Sequence, residues 1–288
     1  MIVVTGANGR LGSQIVRHLL DRVPASEVGV SVRDVDDAAA LLQRGVRVRR
    51  GDFTDPGSLQ HAFEGADQVL VVSAAIRGPG AAAANRAAID AAVEAGASRV
   101  LYTSHQAASF HSLFPAQPQH AATEEYLAHH GVGWTALRHG FYASTLEIYL
   151  PAALETGELR LPEDGPWSWT AHADLAEADA IALTRPELLT SPTPTLTAGA
   201  ALDFAQVCAL LSESAGRTIR RVVLDDETWK DEAVQRGLPP AAADFSIGMF
   251  RAARRGEFDV TDPTLESLLG RPPVAVDVMV DALARPAV

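Results

Sequence analysis

The 288-residue chain is short of several things, and each shortage excludes something. It has a single cysteine, Cys208, so no internal disulfide can form, as suits a reducing cytosol. Cys208 sits in an apolar helical stretch with Val207, Leu210 and Leu211 and reads as a core filler. It has one lysine, Lys230; the other cations are arginines, and acids outnumber them to a formal net charge of −12. That balance argues against non-specific nucleic-acid binding, which runs on phosphate neutralisation, but leaves room for a local basic site for one phosphate. No apolar run is long enough to span a bilayer, and no basic leader precedes the first apolar stretch at Ile2. The expectation is a cytoplasmic protein, monomer or homodimer, that handles a small molecule without a nucleic-acid or membrane partner. The length allows a large core, as one big domain or two small ones.

What is present starts at the N-terminus. Ile2-Val3-Val4-Thr5 is a short β-branched strand, followed by Gly6-Ala7-Asn8-Gly9-Arg10-Leu11-Gly12 and then an amphipathic helix over 11–20 with Ile15, Val16, Leu19 and Leu20 as its apolar stripe. A dinucleotide phosphate needs this arrangement. Gly6 can adopt backbone angles that a Cβ forbids, Gly9 lets the main chain approach a pyrophosphate, and Gly12 lets the helix pack closely on the strand. Amides at the helix start then face the phosphates. The spacing is GxxGxxG, and its place between a strand and a helix is what gives it weight.

The first half alternates strand and helix, the pattern of a parallel sheet with right-handed crossovers. Strands are predicted at 2–5, 28–32, 46–49, 69–72, 100–103 and 134–137, with helices at 11–20, 81–95 and 121–130. After about Phe141 the texture changes. Helices are predicted at 143–154, 204–214, 227–236, 242–254, 265–269 and 276–283, with one strand at 219–223 and a further helix capped by Asp174. The expected division is a dinucleotide-binding domain over 1–142 and a smaller, mainly helical, substrate-side lobe over 143–288, with chain returning to the sheet around 170–200.

In such sheets ligands lie at the carboxyl ends of the strands. The second strand ends at Arg33-Asp34; an acid there suits a ribose hydroxyl and a cation suits a 2′-phosphate, so Arg33 favours NADP over NAD. The third ends at Gly51-Asp52-Phe53, where Asp52 could accept from an adenine amino group with Phe53 packing nearby, or could cap the helix ahead of Pro56. Small residues Ser73, Ala74 and Ala75 end the fourth, Thr103, Ser104 and His105 the fifth, and Arg138-His139-Gly140-Phe141-Tyr142 the sixth. His120 and Glu124 share a helix face and could form a couple that orients the imidazole and raises its pKa; a solvated surface pair is the plainer alternative. Trp167 and Trp169 would share a face of an extended segment, as a substrate wall or as core. The histidines make no ligand-like cluster, so no metal is expected.

The order Thr5-Gly6-Ala7-Asn8-Gly9-Arg10-Leu11-Gly12, Val32-Arg33, Gly51-Asp52-Phe53, Tyr102-Thr103-Ser104, His120-x-x-Thr123-Glu124 and Leu137-Arg138-His139-Gly140-Phe141-Tyr142 resembles the NmrA-like atypical short-chain dehydrogenase/reductases, in particular the type 2 NADPH:quinone oxidoreductases and triphenylmethane reductases. Gly237-Leu238-Pro239, Gly256-Glu257-Phe258 and Leu269-Gly270-Arg271-Pro272-Pro273 extend the likeness over nearly the whole chain. The resemblance implies a Rossmann-type doubly wound parallel sheet with a small C-terminal lobe and the substrate between them. The cofactor contacts expected are Gly6, Asn8, Gly9, Arg10, Leu11, Gly12, Arg33, Asp52, Phe53, Ser73, Ala74, Thr103, Ser104, His139, Gly140 and Phe141, holding NADP(H) in preference to NAD(H).

The departures bear on chemistry. The ordinary short-chain dehydrogenase pairs a serine with Tyr-x-x-x-Lys; here Ser104 matches the serine, but His120 and Glu124 occupy the other two positions, as in relatives of the quinone-reductase type. His139 stands where those relatives usually have asparagine. A site without the phenol and lysine suits acceptors that delocalise the added electrons, such as quinones, rather than unactivated ketones. The expected reaction is NADPH-dependent two-electron reduction, with His120 as proton or hydrogen-bond donor and Ser104 or Tyr142 assisting. Alternatives are an NmrA-type redox sensor that binds the nucleotide without turnover, or a tailoring reductase or cyclase with a bulky aromatic substrate.

Overall fold

The computed structural model describes residues 1–74, 76, 78 and 80–285. Six apolar strands form one parallel sheet: β1 (Ile2–Thr5), β2 (Val28–Val32), β3 (Arg47–Arg50), β4 (Gln68–Val71), β5 (Arg99–His105) and β6 (Gly133–His139), in the order β3-β2-β1-β4-β5-β6. Between them run α1 (Arg10–Leu20), α2 (Ala39–Gln43), α3 (Pro56–Phe63), α4 (Gly80–Glu94) and α5 (Gln117–His129). This is the doubly wound Rossmann order, and its switch point falls between β1 and β4.

Both sheet faces are covered, which is why the strands read as continuous apolar runs. Alternate side chains divide between two cores. Val4, Val30, Leu70, Leu101 and Leu137 meet α1 on one face, while Val3, Val69, Val71, Val100 and Tyr102 meet α3 and α4 on the other. β5 and β6 run beyond their apolar centres because the pairs Ser104–Arg138 and His105–His139 continue the ladder. That extension carries two histidines to the carboxyl edge.

Past β6 come β7 (Phe141–Tyr142), α6 (Leu146–Thr156), β8 (Glu158–Pro162), β9 (Trp169–Thr170), α7 (His172–Thr184), α8 (Phe204–Ala215), β10 (Arg220–Leu224), α9 (Asp226–Gln235), α10 (Pro240–Arg254), α11 (Thr264–Leu269) and α12 (Val276–Ala284). α7 packs beside α1 on the sheet, contributing Leu175 and Leu183 to that core. Leu196 bridges in parallel to His139, and its N–H donates to the Arg138 carbonyl at 2.8 Å. The rest gathers around a third core of Phe141, Trp167, Trp169, Phe204, Phe250 and Phe258.

Two sequence expectations need correcting here, and one open alternative is decided. Asp174 is not a cap: α7 starts at His172, and the fully buried Asp174 carboxylate accepts from Arg271 and from the Val274 N–H, tethering the C-terminal segment. The segment 158–162, to which the sequence assigned no element, is strand β8; its partner β10 lies 62 residues on, beyond any local signal. Trp167 and Trp169 stack at 5.1 Å between ring centres and are at most 1% exposed, so they are core and not a substrate wall.

Candidate active site

The turn after β1 is built around two absent side chains. Gly6 has φ +61°, and a Cβ on Gly12 would lie 2.3 Å from the Gly6 carbonyl oxygen. That same oxygen accepts from the Gly9 N–H at 2.9 Å, so turn and helix start are locked together. Gly9 is the N-cap of α1 and offers no side-chain cap, and the first turn holds no acid, which leaves the leading amides for an anion. Arg10 reaches across to Glu147 at the head of α6 with two bonds of 2.6 and 2.8 Å. Asn8 donates to the Asp34 carbonyl, and Leu11 is buried beneath the turn.

At the ends of β2 and β3 the charges sort themselves. The Asp34 carboxylate accepts from the Asp36 N–H, while exposed Arg33 has no ion-pair partner among the described residues. Arg50 pairs in register with Val32, the residue before Arg33, and both arginines act on Asp52 through their charge; the Arg50 guanidinium contacts Asp55 at 2.9 Å. Asp55, not Asp52, caps α3. Asp52 accepts from both the N–H and the hydroxyl of Thr54, which hold its carboxyl below the usual range. Phe53 is half-buried against the α3–α4 core.

At the ends of β4, β5 and β6 lie three linked networks. In the first, Asn85 accepts from the Ala74 N–H and donates to the Tyr102 hydroxyl, which in turn donates to His120 Nδ1 at 2.8 Å. Burial pushes Tyr102 up, so it stays protonated, and burial pulls His120 down to about 4. With Nδ1 accepting, the neutral ring carries its proton on Nε2. His105 follows the same logic: Nδ1 faces the Ala107 N–H and the Gln117 amide, burial drives its pKa well below the ordinary value, and Nε2 holds the proton. The two rings stand 6.0 Å apart.

The second network joins Ser104, Glu124 and Arg138. Ser104 donates to Glu124 at 2.5 Å, and Arg138 grips the same carboxylate through bonds of 3.0 and 2.6 Å. Glu124 therefore serves the serine and arginine and not His120, and the expected His120–Glu124 couple with a raised imidazole pKa does not form. The third network joins Asp179, His139 and Tyr142: His139 Nε2 lies 2.8 Å from Asp179 Oδ1, and His139 Nδ1 lies 3.3 Å from the Tyr142 hydroxyl.

This geometry can be set beside known proteins. The profile of a family described as NAD(P)H-binding matches residues 6–158, more than half of the chain. Quinone oxidoreductase 2 of Escherichia coli K12 is 31% identical over 273 residues, 94% of each chain. The chain belongs to the NAD(P)H-binding family. An NAD(P)H azoreductase of Xenophilus azovorans is also 31% identical, again over 94% of both. The structure of an NADPH-dependent quinone oxidoreductase from E. coli, complexed with NADPH, superposes with a TM-score of 0.91 at 29% identity over 99% of this chain and 100% of that one. The resemblance to the NmrA-like atypical short-chain dehydrogenase/reductases is thereby upheld, and with it the Rossmann fold and an NAD(P)H cofactor.

The residues fit an NAD(P)H-binding role unevenly. The uncapped α1, the Cβ-free turn and Arg33, without an ion pair among the described residues, suit a bound dinucleotide. Five expected contacts are turned away. Thr103 is fully buried, with its hydroxyl accepting from the Ser73 N–H. His139 is fully buried with both ring nitrogens engaged. Phe141 packs edge-on against Trp167 and His105. The space a Cβ would occupy at Gly140 is filled by the Thr170 hydroxyl, 2.1 Å away, so that glycine serves packing. Ser104 is 2% exposed and committed to Glu124. Ala75 lies outside the described residues. Sequence reading missed Arg50, Asn85, Arg138's grip on Glu124, and Asp179; the strand-end position of His105 was the one available cue to its part.

A surface cavity of about 580 Å³ is lined by Arg22, Glu177, Arg185 and Leu268. It lies at the opposite edge of the sheet, where Gln68 and Arg99 at the starts of β4 and β5 reach the α7 carbonyls. No cluster of metal-ligating side chains occurs among the described residues, and no helix among them is long and apolar enough to cross a membrane.

Proposed function

We propose that this NAD(P)H-dependent oxidoreductase reduces a quinone or a similarly conjugated acceptor, with NADPH preferred. The observation that carries this reading is the pair of neutral histidines, His105 and His120, each with an Nε2–H to donate at the carboxyl edge of β5. Bound NADPH supplies a hydride. Neutral imidazoles stabilise the negative charge that then develops on an acceptor oxygen without surrendering a proton, a task for which a ring held neutral by burial is well suited. Acceptors that delocalise charge need this and good alignment; an unactivated ketone needs a stronger acid. The names of two relatives, a quinone oxidoreductase and an azoreductase, point to the same kind of acceptor.

In this reading the turn from Gly6 to Gly12, with Asn8, Gly9, Arg10 and Leu11, holds the pyrophosphate. Arg33, with Arg50 beside it, holds the 2′-phosphate. Asp52 and Phe53 border the adenine. Ser73, Ala74 and the edge of β5 border the nicotinamide, and Ser104 acts by fixing Glu124 and Arg138. His120→Gln keeps an acceptor for Tyr102 and removes the Nε2–H. It should lower kcat for quinone reduction on the order of 100-fold with little change in NADPH affinity. Unchanged turnover would overturn the assigned role.

A further inference from the structure

We propose that Asp179 and His139 form a buried proton store that reloads Tyr142, making Tyr142 the acid that protonates the reduced acceptor. This rests on the oxidoreductase reading above and adds a source for the second atom transferred. Asp179 and His139 are both wholly inaccessible to solvent, one on α7 and the other closing β6. Their 2.8 Å contact is the one polar contact Asp179 makes through its side chain among the described residues; its Oδ2 is buried without a partner.

A lone carboxylate in such a place is costly unless its charge is compensated. The surrounding groups do not compensate it. His105, His120 and His172 are held neutral by burial. Arg10 is paired with Glu147, and Arg138 with Glu124. The couple reaches neutrality only by carrying one more proton than Asp⁻ with neutral imidazole. That proton is shared along the Nε2–Oδ1 axis, and Nδ1 then carries a hydrogen of its own. Nδ1–H donates to the Tyr142 oxygen, 3.3 Å away, which frees the Tyr142 hydroxyl hydrogen to point out of the couple. Tyr142 is half-buried at the carboxyl end of the sheet, its ring 4.3 Å from that of His172.

The balance is complete. Hydride addition leaves the acceptor as an anion; its oxygen takes the Tyr142 hydroxyl proton as that O–H bond breaks. Tyr142 oxygen takes the Nδ1 proton of His139, leaving neutral imidazole hydrogen-bonded to Asp179 carboxylate. That buried anion is the costly state, so the couple regains a proton from solvent through Tyr142 once product leaves. Tyr142 is the catalytic residue; His139 and Asp179 position and reload it.

The test joins spectroscopy on the full, cofactor-free chain with kinetics. In ¹⁵N NMR at pH 7, the His139 signal, identified by its loss in His139→Gln, should show a proton on Nδ1. Asp179→Asn, which still accepts from Nε2–H but carries no charge, should strip that proton. The same variant should lower kcat on the order of 100-fold while leaving KM and NADPH affinity within about twofold. An unprotonated Nδ1 in the unaltered protein overturns the proposal, as does full turnover in Asp179→Asn. If the unaltered protein reduces no quinone, the acceptor reading fails, and the Nδ1 signal still decides the proton store by itself.

Discussion

Replacing Gly12 with alanine tests the dinucleotide turn at the point where the geometry is least forgiving. The added Cβ would sit 2.3 Å from the Gly6 carbonyl oxygen, 2.9 Å from its carbon and 3.0 Å from the Ala7 Cα. All three are backbone atoms, so no side chain can swing aside. Relief requires the turn to move by about 1 Å, and the Gly6 oxygen is also the acceptor for Gly9, so the whole turn moves together. Overpacking of this kind costs about 1–3 kcal/mol, offset by less than about 1 kcal/mol of gained helix propensity. Thermal or urea unfolding should show the net loss. Fluorescence titration with NADPH should show at least a tenfold weaker Kd, about 1.4 kcal/mol, because the amides at the head of α1 no longer converge. Gly9→Ala is the milder comparison: its Cβ meets the Gly6 oxygen at 3.2 Å, so the turn must give by only a few tenths of an ångström, and its φ of −80° suits alanine, so the fold should lose clearly less stability than with Gly12→Ala. Gly12→Ala with unchanged stability and unchanged NADPH affinity would refute the assignment of this turn.

Two further outcomes are expected. Arg33→Ala should weaken NADPH by 10- to 100-fold, the worth of about 1.5–3 kcal/mol for a charge-assisted bond, while NADH changes little; adding Arg50→Ala should deepen the NADPH loss. Equal weakening of both cofactors in binding titrations would remove Arg33 from the 2′-phosphate site. Acid should destabilise the fold through its histidines. His120 and His172 are both held near 4 by burial, against about 6.5 in the unfolded chain, so the unfolded state binds more protons between those values. Their contribution is intact above pH 6.5 and is lost as the pH falls toward 4, on the order of 1–3 kcal/mol for each. His120→Gln should flatten that part of the pH–stability curve measured by urea unfolding, and an unaltered slope would show that His120 is not held neutral.

The parts of the site that were legible in the sequence are those set by short-range rules. Gly6, Gly9 and Gly12 announce their turn because their spacing, the strand before them and the helix after them lie within about a dozen residues, and five of the six strands of the sheet announce themselves as apolar β-branched runs. Arg50 was hidden by one residue: the third strand was expected to end at 49, which left Arg50 inside the following loop and not in register with Val32 at the end of β2. His120 and Glu124 do lie on one helix face, but side chains on one face bond to whatever packs over them. Tyr102 and Ser104, two residues apart on β5 and so on the same side of the sheet, each took one. His139 and Asp179 are 40 residues apart, brought together only because α7 returns to lie on the sheet. No period or spacing in the chain encodes that contact. The same return explains why Gly140, which reads as room for a ligand, is room for Thr170.

The central claim is hydride transfer from NADPH to a conjugated acceptor, and the most direct measurement is the decay of nicotinamide absorbance with NADPH and with NADH against a panel of quinones. The account predicts rapid, quinone-dependent loss of NADPH and slower loss of NADH. Tight NADPH binding with no oxidation of either cofactor by any quinone would contradict it.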